Sequence, residues 1–370
     1  MRILIDYRPA LVQRTGVGEY THELAHALLP QLPAGDSLTL FSSSWTDRLE
    51  PERLPGASII DVRVPVRLLN LAWHRLEWPP VERFAGPLDV AHSMHPLLMP
   101  STAAAQVVTI YDLFFLGDAT GTATEIERDY PALVGDHARR ADAVIVISEY
   151  TASEVRTRLG VQPERIALCP PGAPPWPQRS QLPAGGPILY IGSPERRKNV
   201  PGLLRAYGRL RDRWPEAPRL LLAGRPPDRG SEIQALIRRP PCYPHARHLG
   251  YVTDDQRQQL YREASLLVVP SLDEGFGMPA LEAMTVGVPV VAASRGALPE
   301  VVGDGGLLVD PTDEEALADA MLRMLTDATL AQGSVARGFA RARAYSWQAS
   351  AARLLGAYSE ALARRRPAAC

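Results

Sequence analysis

Lysine occurs once in this 370-residue chain, at position 198, although lysine and arginine together number 40. Every other permanently cationic side chain is arginine. Lys198 therefore suggests a place where a compact, mobile ammonium is needed rather than a planar guanidinium fork, the bland alternative being a solvated loop with one lysine by chance. Cysteine is also scarce. Cys169, Cys242 and Cys370 are widely spaced and odd in number, which fits neither a disulfide framework nor a metal knuckle. No apolar run approaches the roughly 18–20 residues of a membrane span. The opening Met1–Asp6 reads as a buried strand without the long apolar stretch of a signal peptide. A cytoplasmic, reducing location is the expectation. A basic excess is missing as well: the formal net charge is -1, which argues against a nucleic-acid binder.

What is present is an ordinary soluble composition, 46% apolar and 22% charged, in a chain longer than one hydrophobic core usually supports. Residues 1–180 carry 16 Arg against 21 Asp+Glu, a balance of -5; residues 181–370 carry 24 Arg+Lys against 20 Asp+Glu, a balance of +4. The second half is the better candidate for an anionic ligand. Short apolar runs alternate with longer amphipathic stretches, the pattern of βα units around parallel sheets. In the first half the runs predict strands over Ile3–Asp6, Leu38–Phe41, Ile59–Val62, Val90–His92, Val107–Ile110, Val144–Ile147 and Ile166–Leu168. Helices are predicted over Glu19–Leu29, Arg67–Phe84 (broken near Pro79-Pro80), Glu125–Ala141 and Thr151–Leu159.

The prolines of Pro170–Pro177 and of Leu182–Pro187 can continue neither helix nor central strand, so residues 173–187 read as a linker. Beyond it the alternation restarts with strands at Ile188–Ile191, Leu220–Ala223, His248–Gly250, Leu266–Val269, Val290–Ala293 and Leu307–Val309. Thr312-Asp-Glu-Glu315 has the spacing of a capping box that opens a helix through Leu325. The architecture this predicts is α/β, two Rossmann-like doubly wound domains facing across a cleft, residues 1–172 and 188–345. Ligands are to be sought at the C-terminal ends of the strands.

The chemistry concentrates in Val268-Val-Pro-Ser-Leu-Asp-Glu-Gly-Phe-Gly-Met-Pro-Ala-Leu-Glu-Ala-Met284. A strand ends at Pro270, a polar loop follows, Pro279 suits the first turn of a helix, and Gly287 stops that helix. Glu274, Gly275, Phe276 and Gly277 are thus delivered to a helix N-terminus, where free N–H groups and the dipole suit a pyrophosphate. Glu282 lies about one turn into the helix, where its carboxylate can accept from a ribose diol; Glu274, in the loop, can meet a sugar hydroxyl or a developing positive charge. The bland alternative makes both exposed helix-end acids. A second segment, Gly192-Ser-Pro-Glu-Arg-Arg-Lys-Asn199, follows the first strand of the second domain. It sets Arg197 and Lys198 to oppose a diphosphate.

At these residues the chain resembles a retaining glycosyltransferase of the GT-B fold, family 4, a group that includes many bacterial α-mannosyl- and α-glucosyltransferases. The resemblance runs over most of the chain: Thr15–Tyr20, Val107–Leu113, Val146–Glu149, Gly192–Asn199, Leu249–Val252, Pro270–Ala283, Gly287–Pro289, Leu298–Asp304 and Ser346-Trp347. The Glu-x7-Glu spacing within Glu-Gly-Phe-Gly is its specific part; the Gly-Val-Gly loop alone is weak. The resemblance implies that Arg197 and Lys198 bind the donor pyrophosphate as leaving group, that Glu282 holds the ribose, and that Glu274 holds the donor sugar. It places the backbone of Gly275, Phe276 and Gly277 on sugar or phosphate and that around Tyr251 and Val252 on the base. It has Gly16 and Gly18 admit the donor from the opposite domain, and a final helix, 346–370, cross back to the first domain. Tyr111, Asp112 and Leu281 complete the donor-binding set. Many relatives have His-Asp where this chain has Tyr111-Asp112. Tyrosine still donates a hydrogen bond but is bulkier and uncharged at neutral pH, which bears on the sugar contact more than on the reaction type; ordinary strand-end packing is the other reading of Tyr111.

Weaker candidates are His92 and His95, near acceptor or sugar or else structural, and Asp6 and Arg8, which follow the first strand and brace the glycine element. Arg67–Phe84 carries Trp73 and Trp78 among leucines and arginines. Core packing is the favoured reading there, and peripheral contact at the inner face of a membrane the other. The expected activity is metal-independent, retaining transfer of a hexose, mannose favoured, from a nucleoside diphosphate sugar to a glycan or lipid-linked glycan. The sugar nucleotide is a co-substrate and no cofactor is expected. The competing readings are a non-catalytic sugar-nucleotide-binding protein and an epimerase or hydrolase on the same fold.

Overall fold

The computed structural model of the chain describes residues 1–11, 16–117, 124–183 and 185–365, the side chains of 124–128 excepted. It divides into two compact units, Met1–Gly172 together with Ser346–Cys370, and Ala173–Tyr345.

The first unit is built on β1 (Arg2–Asp6), β2 (Ser37–Ser43), β3 (Ser58–Val62), β4 (Val90–Ser93), β5 (Ala105–Ile110), β6 (Ala143–Val146) and β7 (Ile166–Leu168). All pair in parallel, in the order β3-β2-β1-β4-β5-β6-β7. A parallel sheet is covered on both faces by its crossover helices, which is why its strands read as unbroken apolar runs rather than alternating ones. The helices are α1 (Gly16–Leu28), α2 (Val66–Leu76), α3 (Glu82–Ala85), α4 (Thr124–Arg140) and α5 (Glu149–Leu159).

The second unit repeats the scheme with β8 (Ile188–Ile191), β9 (Leu220–Ala223), β10 (Ala246–Gly250), β11 (Leu266–Val269), β12 (Val290–Ala293) and β13 (Leu307–Val309), in the order β10-β9-β8-β11-β12-β13. Its helices are α6 (Val200–Arg213), α7 (Glu232–Ile237), α8 (Asp254–Glu263), α9 (Met278–Val286), α10 (Leu298–Val302), α11 (Glu314–Thr326) and α12 (Ala328–Ala342). Every residue of α9 from Ala280 to Val286 is buried, Glu282 and Thr285 among them, so this helix is enclosed on every face, as a central helix is. The last helix, α13 (Trp347–Arg365), belongs to the first unit. There it packs on α1 and β5, with the Tyr358 hydroxyl 2.6 Å from His92 Nδ1.

In both sheets the order of connection reverses once, between β1 and β4 and between β8 and β11. Crevices at the carboxyl ends of strands flanking such a reversal are where open α/β sheets bind ligands.

Three local expectations are revised, and the break expected within residues 67–84 is found. Gly16 and Gly18 form the first turn of α1 rather than a loop; the first-turn N–H groups need no helical partner, so glycine costs little there. Thr15, and with it residues 12–15, lies outside the described residues, as do Arg366 and Cys370. The 67–84 stretch is two helices: Glu77 adopts a left-handed conformation (φ 48°) that ends α2 two residues before Pro79. Thr312 does not cap α11. Asp313 does, accepting from the N–H of Glu315 and Ala316, because Thr312 turns back to Asp310 through both its N–H (2.9 Å) and its hydroxyl (2.7 Å). A capping box does form elsewhere, by Thr253 with Gln256 at the head of α8. Finally, the proline-rich stretch is docked. The Arg179 guanidinium donates to the carbonyls of Gly287 (2.9 Å) and Ala264 (2.5 Å), and the Trp176 ring lies 5.6 Å from that of Tyr261.

Candidate active site

Two loops of the second unit meet at its switch point. The first follows β8: Glu195 accepts from the Ser193 hydroxyl (2.7 Å) and from Arg197 Nε (2.9 Å), and a short 3-10 turn holds Arg196–Lys198. Asn199 then takes a left-handed conformation (φ 53°), its amide donating to the Pro311 carbonyl (2.7 Å), and starts α6. The second loop follows β11. The Leu272 N–H donates to the Arg197 carbonyl (2.7 Å), so main chain fastens the two loops before any side chain is counted.

Across that seam Lys198 Nζ donates to both oxygens of Glu274, at 2.8 and 2.6 Å, and Arg197 Nη1 donates to Oε2 at 3.2 Å. Glu274 is only 6% exposed. Burial by itself raises the pKa of its carboxyl; the charges of Lys198 and Arg197 outweigh that and hold it below the ordinary value. Glu195, also opposed by burial, is likewise held low, by Arg197 and the Ser193 hydroxyl. The cluster therefore sets two carboxylates, both held ionised, against the side chains of Arg197 and Lys198. Neither Glu274 nor Glu282 is an exposed helix-end acid: both are buried.

Glycine permits the fit at two points. Gly277, the N-cap of α9, has φ 105°, and a Cβ there would lie 2.6 Å from a Leu298 methyl. Gly296 has φ 62°, and a Cβ would lie 2.6 Å from the Glu274 carbonyl oxygen. The residue after it, Ala297, donates its N–H to that same carbonyl (2.8 Å). The 294–297 turn thus seats the main chain of Glu274 from behind.

Glu282 sits one turn into α9. Its Oε1 accepts from Arg257 Nη1 (3.0 Å) and its Oε2 from the Tyr261 hydroxyl (2.7 Å). Arg257 stacks over the Trp176 ring at 5.2 Å. Arg257 and Tyr261 belong to α8, whose N-cap follows directly on Tyr251 and Val252. Tyr251 is exposed and Val252 half-buried. Phe276 is buried edge-on against Tyr345, with centroids 5.3 Å apart. Leu281 is a core residue whose N–H turns to the Gly277 carbonyl, so it can act only by shaping the helix. Glu195, Trp176, Arg257, Tyr261 and Gly296 were not singled out from sequence. Only Glu195, inside the Gly192–Asn199 segment, had a signal to be found by.

The remaining candidates lie in the first unit. Tyr111 follows β5. Its hydroxyl donates to the Met94 carbonyl (3.2 Å), and its ring meets Tyr20 of α1 edge-on at 5.4 Å, beside the helical turn that carries Gly16 and Gly18. Burial raises the Tyr111 pKa far above the phenol range, so it stays a neutral donor. Asp112 accepts from the Phe114 N–H (3.4 Å). His92 is structural: it is fully buried between Tyr358 and Thr109, and burial depresses its pKa to about 3. Asp6 and Arg8 pair with each other and with Asn70 and His95. A cavity of about 360 Å³ also lies in this unit, beside Trp78, Arg83 and Arg140 and Gln106. Gln106 is near the start of β5, the end of the strand opposite Tyr111. Among the described residues, no three His, Cys, Asp or Glu side chains gather where they could hold a metal ion.

Comparison with known proteins bears on the whole chain. A family model described as Glycosyltransferase Family 4 matches residues 14–176, and one described as Glycosyl transferases group 1 matches residues 186–327. The chain is 30% identical to a D-inositol 3-phosphate glycosyltransferase of Xylanimonas cellulosilytica over 79% of its own length and 70% of that protein's. The chain belongs to the family 4 glycosyltransferases of the GT-B fold. It is also 37% identical to the O-antigen chain mannosyltransferase B of Escherichia coli, over 59% of this chain. That match spans 60% of the mannosyltransferase's own length. The sucrose-phosphate synthase of Thermosynechococcus elongatus superposes with a TM-score of 0.77 at 23% identity, covering 98% of this glycosyltransferase-family chain and 100% of the synthase chain. At that identity the likeness shows the shared GT-B fold.

Proposed function

We propose that the protein transfers a hexosyl group, mannose by preference, from a nucleoside diphosphate sugar to a hydroxyl of a glycan or lipid-linked glycan, with retention of anomeric configuration and without a metal ion. The observation that carries this reading is the Arg197–Lys198–Glu274 cluster at the N-terminus of α9, formed by two loops at the sheet's switch point. Arg197 and Lys198 supply charge-assisted donors for a departing diphosphate. The N-terminus of α9 adds its dipole. Glu282, set between Arg257 and Tyr261, can accept from a ribose diol. The preference for mannose is supported by the 37% identity to a mannosyltransferase.

In this mechanism the acceptor attacks the face that the diphosphate leaves, through an oxocarbenium-like transition state. The departing phosphate takes the acceptor proton, so no protein base is needed. Lys198 holds three N–H donors on a flexible stem and can follow the charge as it moves to the leaving oxygen. That explains why the chain's one lysine stands here. Glu274, moved off the cations by the diphosphate, faces the sugar.

The test is a thermal-shift panel of GDP-, UDP-, ADP- and dTDP-sugars, followed by product analysis with the strongest binder. GDP-mannose is expected to give the largest shift, turnover is expected to persist in EDTA, and the product anomer is expected to match the donor's. Donor binding without turnover on any acceptor would favour a binding protein. An acceptor-independent product would favour an epimerase or hydrolase.

A further inference from the structure

The two tryptophans of the 67–84 stretch have opposite fates. Trp73 is buried, its indole N–H donating to the Pro79 carbonyl (3.0 Å), whereas Trp78 is 56% exposed. The Arg83 guanidinium lies 5.8 Å from the centre of the Trp78 ring. Both side chains border the cavity of about 360 Å³ in the first unit, a volume within the range of small-molecule sites.

Two polar side chains that line this cavity are each held in one orientation by main chain. His137 of α4 is only 3% exposed. Its Nδ1 accepts from the Leu98 N–H (2.9 Å), so the neutral ring carries its proton on Nε2. Burial first, and then the charge of Arg140, hold the His137 pKa below the ordinary imidazole value, which keeps the ring neutral. None of the described residues accepts from Nε2. Gln106 donates through Nε2 to the Met99 carbonyl (2.6 Å), which leaves its Oε1 as an acceptor with no donor among the described residues. The cavity thus presents one oriented N–H donor and one oriented carbonyl acceptor. A phosphate or carboxylate satisfies only the first, and an ammonium only the second. A hydroxyl-bearing ligand satisfies both.

Charge points the same way. Arg140 is engaged by both oxygens of Glu77 (2.6 and 2.8 Å) and by Asp136 (3.0 Å). With Arg83, the mouth sets two cations against these two carboxylates and offers no net field to an anion. Trp73, Pro80, Leu98 and Pro100 supply apolar wall. The Trp78 ring adds a flat, amphipathic platform, suited to the C–H face of a pyranose.

We infer that this cavity is a saccharide-binding site, separate from the candidate donor site, that takes one neutral pyranose unit of a glycan against Trp78 with hydroxyls on His137 Nε2 and Gln106 Oε1. A strand rises about 3.3 Å per residue, so Gln106 and Tyr111 are roughly 16 Å apart along β5 and its end. A sugar in the cavity is therefore held, not transferred. The inference rests on the cavity's own groups and does not depend on which donor or acceptor the active site takes.

The experiment is a saturation-transfer NMR titration of the full chain with methyl α-mannoside, methyl α-glucoside and inorganic phosphate. At least one glycoside is expected to bind with a millimolar dissociation constant, with saturation concentrated on the protons of one ring face. Trp78→Ala should weaken that binding about tenfold. Arg83→Ala should weaken it about threefold, because the guanidinium steadies the Trp78 ring. Thr102 lines the mouth from an exposed position, so Thr102→Trp should abolish binding by filling it. Lys198→Ala should leave glycoside binding unchanged. An unchanged melting temperature and unchanged turnover on a short soluble acceptor show that the three cavity variants are folded. The inference is wrong if neither glycoside binds below about 50 mM, or if Trp78→Ala and Thr102→Trp bind undiminished. It is equally wrong if phosphate binds in the cavity and the glycosides do not displace it. Loss of glycoside binding with full turnover separates this site from the proposed activity.

Discussion

Each unit buries a carboxylate beside arginine at its sheet's switch point, and the two clusters are put together differently. In the first unit Asp6 is the last residue of β1 and Arg8 is two residues on. The pair is closed within one turn of chain, and Asn70 at 2.7 Å, His95 and the Trp73 ring at 4.9 Å surround the guanidinium. In the second unit Glu274 and Lys198 are 76 residues apart and meet only because two loops are fastened by main-chain bonds. The local pair is finished within its own turn and has the character of a brace. The non-local pair holds an ammonium on a flexible stem between two loops, which is what a site that must exchange partners requires.

The comparison breaks most directly at Asp6. Arg8 is nearly buried, so Asp6→Asn leaves an uncompensated cation, and a loss of about 3–5 kcal/mol in urea unfolding is expected, with turnover per folded molecule retained. A folded variant with lost turnover would make the first cluster part of the chemistry. The pH dependence has a definite sign. Burial raises the Asp6 pKa, but Arg8 and then His95 override it and hold it far below the ordinary carboxyl value. The stabilisation is therefore present above the unfolded pKa near ~4 and is lost as pH falls below it. Asp6→Asn should flatten that acid limb.

Lys198→Ala is the matching test of the second cluster. It should lower kcat/KM by about 10²–10³, the scale for removing one donor to transition-state charge, while the melting temperature moves little because Arg197 still faces Glu274. Near-wild-type turnover would remove the leaving-group role and with it the contrast between brace and site.

How much of this was legible in sequence follows the range of the interactions. The strands were plain because a parallel sheet is covered on both faces and its strands are unbroken apolar runs; β7, β8, β9, β11, β12 and β13 fall within the predicted bounds. Gly277, Pro279 and Gly287 punctuate α9 by strictly local rules. Caps were harder, because several side chains compete for the same N–H groups, and Asp313 won over Thr312 once Asp310 had engaged the threonine. Partners across the fold were not legible. Nothing in the sequence marks Arg257 among 39 arginines as the one facing Glu282, and nothing near Gly296 shows that it lies against Glu274.

That last contact gives a sharper test of assembly than any charge deletion. Gly296→Ala alters no functional group. It demands a left-handed alanine and pushes a methyl against the Glu274 main chain, so it should cost about 1–3 kcal/mol of stability and lower kcat/KM by about 10- to 100-fold through displacement of Glu274. Gly35, also at positive φ but with open space around its Cβ, is the control: Gly35→Ala should share the backbone strain and leave turnover alone. Equal effects at both positions would mean that strain, not the seating of Glu274, sets the loss.

The smallest effect is expected at Tyr261, and it separates binding from chemistry. Tyr261→Phe deletes the hydroxyl that donates to Glu282 at 2.7 Å but leaves Arg257 on the other oxygen. A charge-assisted hydrogen bond is worth about 1.5–3 kcal/mol, part of which relaxation of Glu282 toward Arg257 recovers. A carboxylate that holds ribose grips ground state and transition state alike, so its loosening should raise donor KM about tenfold and leave kcat nearly unchanged. In the proposed reaction Arg197 and Lys198 meet charge that develops only during transfer, so their loss should appear in kcat. A fall in kcat at constant KM in Tyr261→Phe would place Glu282 with those cations and redraw the site as one electrostatic cluster.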